Sequence, residues 1–555
     1  MRGLIIATGA LLLAAPTFAR DAAPPRAAVD PTRLSETVKT LASDEYEGRA
    51  PGTAGERKTI EFLIARFKAM GLEPGGDKGG WTQAVPLIHT RIGTGGSISL
   101  GVANGQPMAL AQSTEINLTT VRDTPRIDIA AAPMVFVGYG VNAPEAGWDD
   151  FKGVDLKGKV AIFLVNDPDF EAVAGEDAVG RFGGRRMTYY GRWTYKFEEA
   201  ARRGAIAALI VHDTGGAGYG WSTAAASNGE NFDIVRAAND PRVPLQGWIE
   251  HDTATRIFAA AKLDLSALRV QARSAGFRPV ELKGLNFNAA LPVSVERIES
   301  ANVLAILPGK TRPDESVMFA AHWDAYGAGP ADAQGKTIRP GANDDGLGVA
   351  GVLELARLFK AAARADRSMV FALWTGEERG LLGSEYYATH PLKPLSKTAA
   401  NLTLDILQTA GPARDVILVG AGNSSLDADL TAAAKAQGRV ITPETFSERG
   451  LFYRADHFSV VRRGVPSLLL MALGGASDLK AGGRVAGQKW LDDYMTCYHK
   501  TCDAWSADWN LDGAATDITL FYTMGKSIAN ARSWPMWSEG SEFAATRAKT
   551  KADRP

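Results

Sequence analysis

Two short apolar runs, Val317–Ala321 and Met369–Trp374, flank a helical pattern, and each run stops abruptly in side chains that bind metals. Both runs have the length and residue types of strands. His322 and Asp324 follow the first, and Glu377 and Glu378 follow the second through Thr375-Gly376. Between them, Pro340-Gly341 leads into Asn343-Asp344-Asp345-Gly346, which is expected to open a helix reaching about Ala363. Val349, Val352, Leu353, Leu355, Ala356 and Phe359 recur there at helical spacing. This alternation predicts an α/β fold with a mostly parallel central sheet flanked by helices. Such folds usually place their chemistry at the carboxyl ends of the strands.

Further strands are expected at Asn302–Leu307, Leu402–Leu407, Val416–Val419 and Val465–Met471, with the pattern running to about Ala529. Near the amino terminus, Leu34 to Leu72 reads as helical. Thr53 serves as N-cap, Glu56 completes a capping box, and Ile60, Leu63, Ile64, Phe67 and Met70 form one apolar face before Gly71. That face needs a sheet distant in sequence. From about Arg91 to Arg297 the texture changes to short β runs and glycine-rich loops, with strands expected at Met134–Val137, Lys159–Val165 and Ile206–Val211 and a short helix at Phe197–Arg203. No acid, base and nucleophile converge in this stretch, and His212 and His251 read as structural or surface residues. It is expected to be an insert framing a site elsewhere. Tyr189, Tyr190, Trp193 and Tyr195 are either a rim to that site or, preferably, an aromatic cluster packed within the insert. The tail from Glu542 to Pro555 is polar and expected to be disordered.

A chain of 555 residues exceeds one core. Its net charge of −1 points to neither nucleic acid nor an anionic membrane as partner. Residues 1–19 carry one positive charge, an apolar run from Leu4 to Ala15 and small residues near Ala19, the pattern of a signal peptide rather than a membrane span. The protein is therefore expected to be exported, to a periplasm or the outside. The only two cysteines, Cys497 and Cys502, are close enough in sequence to form a disulfide there. Nothing in the sequence sets the oligomeric state.

His322, Asp344, Glu378, Asp405 and His499 make a mixed nitrogen and oxygen set suited to zinc, other divalent metals being alternatives. Asp405 interrupts an otherwise apolar strand, LTLDIL, and a buried carboxylate needs a cation or a set of hydrogen bonds. Two metals roughly 3.5–4 Å apart would share a carboxylate. Glu377 is left over, beside the metals but not on them, as a general base must be. Taken singly, an acid pair is usually solvated surface and NDDG is usually a turn. It is their order and their placement at strand ends that speak for chemistry.

That order, HWD, then GANDDG and a helix, then TGEERGLLGS, a strand Asp and YHKTCD, resembles the M28 family of dinuclear zinc peptidases over about Pro31–Ser533. EGRAPGTAGERKTIEFLIARFKAMGLEP is similar to the opening of many bacterial members, and the middle region looks like an inserted protease-associated (PA) domain, β-rich, within a zinc-exopeptidase fold. The resemblance implies a linker at 20–30, peptidase segments at 31–92 and 298–533, an insert at 93–297 and a tail at 534–555. It also implies two zinc ions, one held by His322, Asp344 and Asp405, the other by Asp344, Glu378 and His499, with Glu377 as base. Asp324 would orient His322, and Asp345 would neighbour the bridging residue without ligating. His457, in RADHF, competes with His499 for the last position; the YHxxxD pattern favours His499. DILQTAG after Asp405 departs from the commoner DMxG, which leaves that side of the site less defined.

The implied activity is an aminopeptidase acting on peptides with a free N-terminus. A carboxypeptidase or dipeptidase on the same metal centre is an alternative, as is an inactive binding protein of the same fold. A one-metal glutaminyl cyclase fits less well, because every position for two metals is filled.

Overall fold

The computed structural model describes residues 28–237 and 240–554. The expected signal peptide at 1–19 lies outside the described residues, as does most of the 20–30 linker. Among the described residues, no helix is long and apolar enough to cross a membrane.

The central sheet has four parallel strands at its heart. These are β8 (Arg312–His322), β9 (Arg367–Trp374), β10 (Thr398–Leu404) and β11 (Ser467–Leu470), in the order β9-β8-β10-β11. β8, β9, β10 and β11 consist almost wholly of buried residues, as strands covered on both faces must. Three antiparallel strands extend the sheet beyond β9: β7 (Val280–Leu307), then β1 (Thr82–Ile92), then β5 (Glu230–Ile234). The sheet is thus parallel only across β9, β8, β10 and β11. The segment expected as a strand at Val416–Val419 stays outside it, pairing as Asp415–Leu418 with Val440–Pro443 in a separate parallel ribbon.

β7 is one strand of 28 residues, and it belongs to two sheets. Its first half alternates, with Leu285, Phe287, Ala289, Leu291 and Val293 buried on one face. That face packs in a second core beneath β2 (Arg126–Phe136), β3 (Val160–Leu164), β4 (Ala207–Val211) and β6 (Leu245–Ile249). β2, β3, β4 and β6 run parallel to one another. The second half of β7 has Val303, Leu304 and Ala305 buried in succession, where the strand enters the central sheet. The residue pattern switches from alternating to continuous as the strand passes from a sheet covered on one face into an interior covered on both.

Helix α1 (Pro31–Leu41) is capped by the Asp30 carboxylate, which accepts from Thr32 N at 2.9 Å. Helix α2 (Ala54–Ala69) starts at Thr53 as expected, its hydroxyl accepting from Glu56 N. Glu56 does not return to the Thr53 amide. Its carboxylate takes the Gly52 amide and the Ser300 hydroxyl instead, tying the helix start to β7. Leu63 and Phe67 of α2 are fully buried in the first core with Phe319 and Phe371, the distant sheet that the apolar face required. Full burial of two such side chains contributes roughly 3–6 kcal/mol. Helix α3 (Gly348–Ala361) runs between β8 and β9 and is buried along most of its length.

The tail is packed rather than disordered. Ala544–Ala548 is helical, and Arg547, 3% exposed, donates to the carbonyl of Thr398 at 2.9 Å and stacks on Trp534. Charge in the tail misled the sequence reading: this arginine is spent on backbone carbonyls at the start of β10.

Candidate metal centre and the cavity above it

β8 and β9 lie side by side in parallel, with His322 opposite Trp374, so the residues that follow both emerge at one edge. β10 ends at Leu404, which puts Asp405 at that same edge, one residue past the strand rather than inside it. The α3 helix proper begins at Gly348, later than expected. Residues 342–347 form a wide turn in which Asp344 (φ −109°, ψ 87°) and Asp345 are not helical. Asp345 accepts from His322 N at 3.2 Å and Gly348 N at 3.0 Å, so it caps α3 and docks it onto β8. Asp344 is left free to face the imidazoles.

The donor atoms form two groups. Those of His322, Asp344 and Asp405 lie within 4.8 Å of one another, and so do those of Asp344, Glu378 and His499. Asp344 belongs to both. Its Oδ1 is 3.2 Å from His322 Nε2, and its Oδ2 is 3.2 Å from His499 Nε2. Glu378 Oε2 is also 3.2 Å from His499 Nε2, and Asp405 Oδ1 is 4.0 Å from His322 Nε2. Buried Asp344 Oδ2 and Asp405 Oδ1 have no hydrogen-bond partner. Orphaned carboxylate oxygens aimed at imidazole nitrogens suit cations, and the mixed nitrogen and oxygen set suits zinc.

The electrostatics agree. Burial first, and Asp344 second, push Asp405 up to about 8 in the protein alone. Burial also raises Glu377 and Glu378, with neighbouring carboxylates adding to it. Asp344 is held below the usual range by His322 and His499, against the effect of burial. This density of acids under low dielectric is costly without positive charge to offset it.

Glu377 belongs to neither group. Its Oε2 lies 3.8 Å from His322 Nε2, and its amide donates to Asp324 Oδ1 at 3.1 Å. The turn before it needs a left-handed residue, supplied by Gly376 (φ 63°). The part of Asp324 nearest the His322 Nδ1 is its backbone carbonyl, at 3.1 Å; the carboxylate is 3.6 Å away. Asp324 thus fixes the imidazole mainly through its main chain and the Glu377 loop through its side chain.

His499 follows helix α4 (Gly483–Cys497) in a tight turn closed by a Cys497–Cys502 disulfide, Cα–Cα 5.1 Å. Its φ is +61°, an uncommon conformation for a side-chain-bearing residue. The ring rests between Tyr326 and Tyr498. His457 is elsewhere. It is fully buried against Phe452, neither ring nitrogen has a partner, and burial pushes it down to about 3.

Three supporting residues had no role assigned from sequence. Asp503 accepts from Asn343 N at 3.0 Å and Asp344 N at 3.1 Å, holding the turn that presents Asp344. It is the closing acid of the YHxxxD pattern, so a signal existed. Asn343 exchanges two hydrogen bonds with the Leu407 main chain, locking the same turn to the loop after Asp405. Arg49, fully buried, donates to the carbonyls of Leu41, Trp323, Pro340 and Gly341. Nothing about a lone arginine so far from these partners in sequence announces that role.

A cavity of about 680 Å³ lies over these groups, bounded on the other side by Trp193, Tyr219, Phe232 and Trp248 among others. Of the four aromatics singled out in sequence, Trp193 lines the cavity. Tyr189, Tyr190 and Tyr195 pack edge to face among themselves, centroids 5.1–5.3 Å apart.

Residues 302–523 match the family model described as Peptidase family M28. Among curated proteins, the chain is 24% identical to Aminopeptidase NAALADL1 of Mus musculus over 441 residues, covering 68% of this chain and 53% of that protein. It is 31% identical to Aminopeptidase YwaD of Bacillus subtilis over 142 residues, 24% of this chain and 29% of the relative. It is 35% identical to a probable zinc metalloprotease of Pyrenophora teres f. teres over 128 residues, 23% of this chain and 26% of the relative. The chain thus spans between about a quarter and a half of the length of these relatives. Among solved structures, an aminopeptidase from Aneurinibacillus sp. strain AM-1 aligns over 91% of this chain and 94% of its own, with 20% identity and a TM-score of 0.47. All five donor residues and Glu377 fall inside residues 302–523, the segment that matches the M28 peptidase family model.

Proposed function

We propose that this protein is an exported zinc metallopeptidase that removes N-terminal residues from peptides. The observation that carries this is the pair of donor groups sharing Asp344, with Glu377 beside them and outside both, at the floor of a roofed cavity. His322, Asp344 and Asp405 would hold one cation, and Asp344, Glu378 and His499 the other. Zinc bound there would supply an acidified water and polarise the scissile carbonyl.

The chain's own residues do the rest. Glu377, anchored through its amide to Asp324, takes the proton from the attacking water and returns it to the leaving amine. The acids around the second group favour a substrate's free α-ammonium, which supports removal from the N-terminus over internal cleavage. The insert, proposed as a protease-associated domain over about 93–297, excludes water from the cavity and limits what can enter. Export would follow from the signal sequence at 1–19.

The test is to incubate the zinc-loaded protein with matched free and N-acetylated peptides and follow products by mass spectrometry. Stepwise loss from the N-terminus of free peptides alone is the expected result. Trimming from the C-terminus would overturn the aminopeptidase assignment while leaving the metal centre, and no cleavage of any peptide would overturn the peptidase reading itself.

A further inference from the structure

Most of the charged side chains on the walls of the cavity over the metal centre are paired. Around its walls Asp233 is held by Arg236 at 2.9 Å, Glu385 by Arg463 at 2.8 Å, Glu198 by Arg462 at 2.8 Å and Glu230 by Arg91 at 2.9 Å. The other lining acids, Asp344, Glu377, Glu378 and Asp405, are the metal centre and its base. Arg242 is also held by Asp233, at 3.3 Å, and three lining arginines are left without a carboxylate within 4.0 Å among the described residues: Arg192, Arg379 and Arg454. Arg379 lies over the rings of Phe232 and Tyr326, 4.8 and 5.0 Å from their centroids, beside the Glu377-Glu378 turn; Arg192 and Arg454 remain.

These two arginines reach one wall from different parts of the chain. Arg192 directly precedes the insert helix Trp193–Arg202, and Arg454 directly follows the turn Leu451–Tyr453. The Arg192 stem runs along that turn, its Cδ only 3.4 Å from where a Cβ on Gly450 would sit, and Gly450 is left-handed at φ +60°. A side chain at 450 would collide with the Met187 sulfur, 2.6 Å from that position, and would press on the Arg192 stem beside it. Arg192 is 8% exposed, and its Nε is buried with no hydrogen-bond partner. Burial, then the Arg454 charge, push its guanidinium down to about 10. Arg192 and Arg454 line the same cavity as Asp405, Tyr498 and His499.

Two guanidinium groups lining one cavity without a counter-ion, one of them buried, are costly. A carboxylate offsets that cost, because guanidinium donors match its geometry in two parallel hydrogen bonds. We propose that Arg192 and Arg454 form a carboxylate subsite beside the metal centre and select peptides that carry a carboxylate close to the scissile bond. The proposal rests on the peptidase reading and narrows its substrate class. The carboxylate is either the α-carboxylate of a di- or tripeptide or an aspartate or glutamate side chain in a longer one. Since Arg192 comes from the insert and Arg454 from the peptidase part, a bound carboxylate would also bridge the two.

The test compares kcat/KM for Ala-Leu and Ala-Leu-Leu with their C-terminal amides, and for Ala-Glu-amide with Ala-Gln-amide. The same pairs are titrated by calorimetry into metal-loaded Glu377→Gln protein, which reads binding without turnover. We expect at least one acid-to-neutral ratio to reach about 100, as loss of a buried, hydrogen-bonded charge partner costs at this scale. That ratio should fall towards one in Arg192→Met and Arg454→Met and be partly retained in Arg192→Lys. Preference for the free C-terminus identifies the α-carboxylate; preference for Glu over Gln identifies the side chain. Ratios near one throughout the wild-type protein overturn the subsite whether or not the variants fold. So do ratios that survive both methionine variants. If no peptide is hydrolysed, the peptidase reading fails separately, and the calorimetric ratio still decides the subsite.

Discussion

Replacing Arg49 with methionine isolates how the metal-presenting turn is held. The guanidinium donates at 2.7 Å to Trp323 O, 2.8 Å to Leu41 O, 2.6 Å to Pro340 O and 2.8 Å to Gly341 O, all without solvent. Pro340 and Gly341 lead into the Asp344 turn, and Trp323 follows His322. Methionine keeps the stem and strands four buried carbonyls. Each would be worth about 1.5–3 kcal/mol as a charge-assisted bond. Relief of the buried charge and local relaxation reduce the total, so the expected destabilisation is about 3–5 kcal/mol. In a chain of this size that lowers the thermal midpoint by roughly 3–4 °C. Because these bonds orient the segments around His322 and Asp344, metal affinity should fall about 10–100-fold. Thermal melts of metal-loaded and chelator-treated protein, with competitive zinc titration, measure both. Arg49→Lys should recover little, since an ammonium cannot span four carbonyls in a fixed fork. An Arg49→Met protein with wild-type metal affinity would refute the positioning role, even if less stable.

Other consequences are open to simpler tests. Glu377→Gln should keep its metals and lose about 10²–10⁴ in kcat, because only the proton-transfer group is changed; metal content and turnover on one preparation check it. Opening the five-residue bridge with Cys497→Ser should cost about 2 kcal/mol and weaken the His499-side cation more than the other, seen as unequal steps in a metal titration. His457, buried and pushed down to about 3, stays neutral in the fold while the unfolded chain takes up a proton below its ordinary value of 6.5. Its contribution to stability is therefore present above pH 6.5 and lost as pH falls from there towards 3. Between pH 7 and pH 5 the wild-type protein should lose about 2 kcal/mol more than His457→Leu, measurable by denaturant unfolding, with metal content alike in both.

The parallel core was legible because β8, β9 and β10 are short apolar runs that each end in a donor. Strand ends are what place His322, Glu378 and Asp405 together, so the site could be read from the same pattern as the fold. What escaped was long-range. β7 looked like the end of one region and the start of another, because its residue pattern changes where it crosses between sheets, although the backbone continues. The opening of α3 was set too early, because NDDG reads as a cap while Asp345 alone performs that task and Asp344 is turned to the imidazoles. Arg49, Arg192 and Arg547 gave no signal, since an arginine's partners are backbone carbonyls or ligands that no local pattern names.

Metal stoichiometry of the purified protein and two variants tests the central claim most directly. If Asp344 serves both donor groups, elemental analysis should find two divalent ions per wild-type chain, close to none in Asp344→Asn, and one in His499→Ala. A single ion in the wild-type protein, or an Asp344→Asn variant that retains one at full affinity, would contradict a shared carboxylate at the centre of this site.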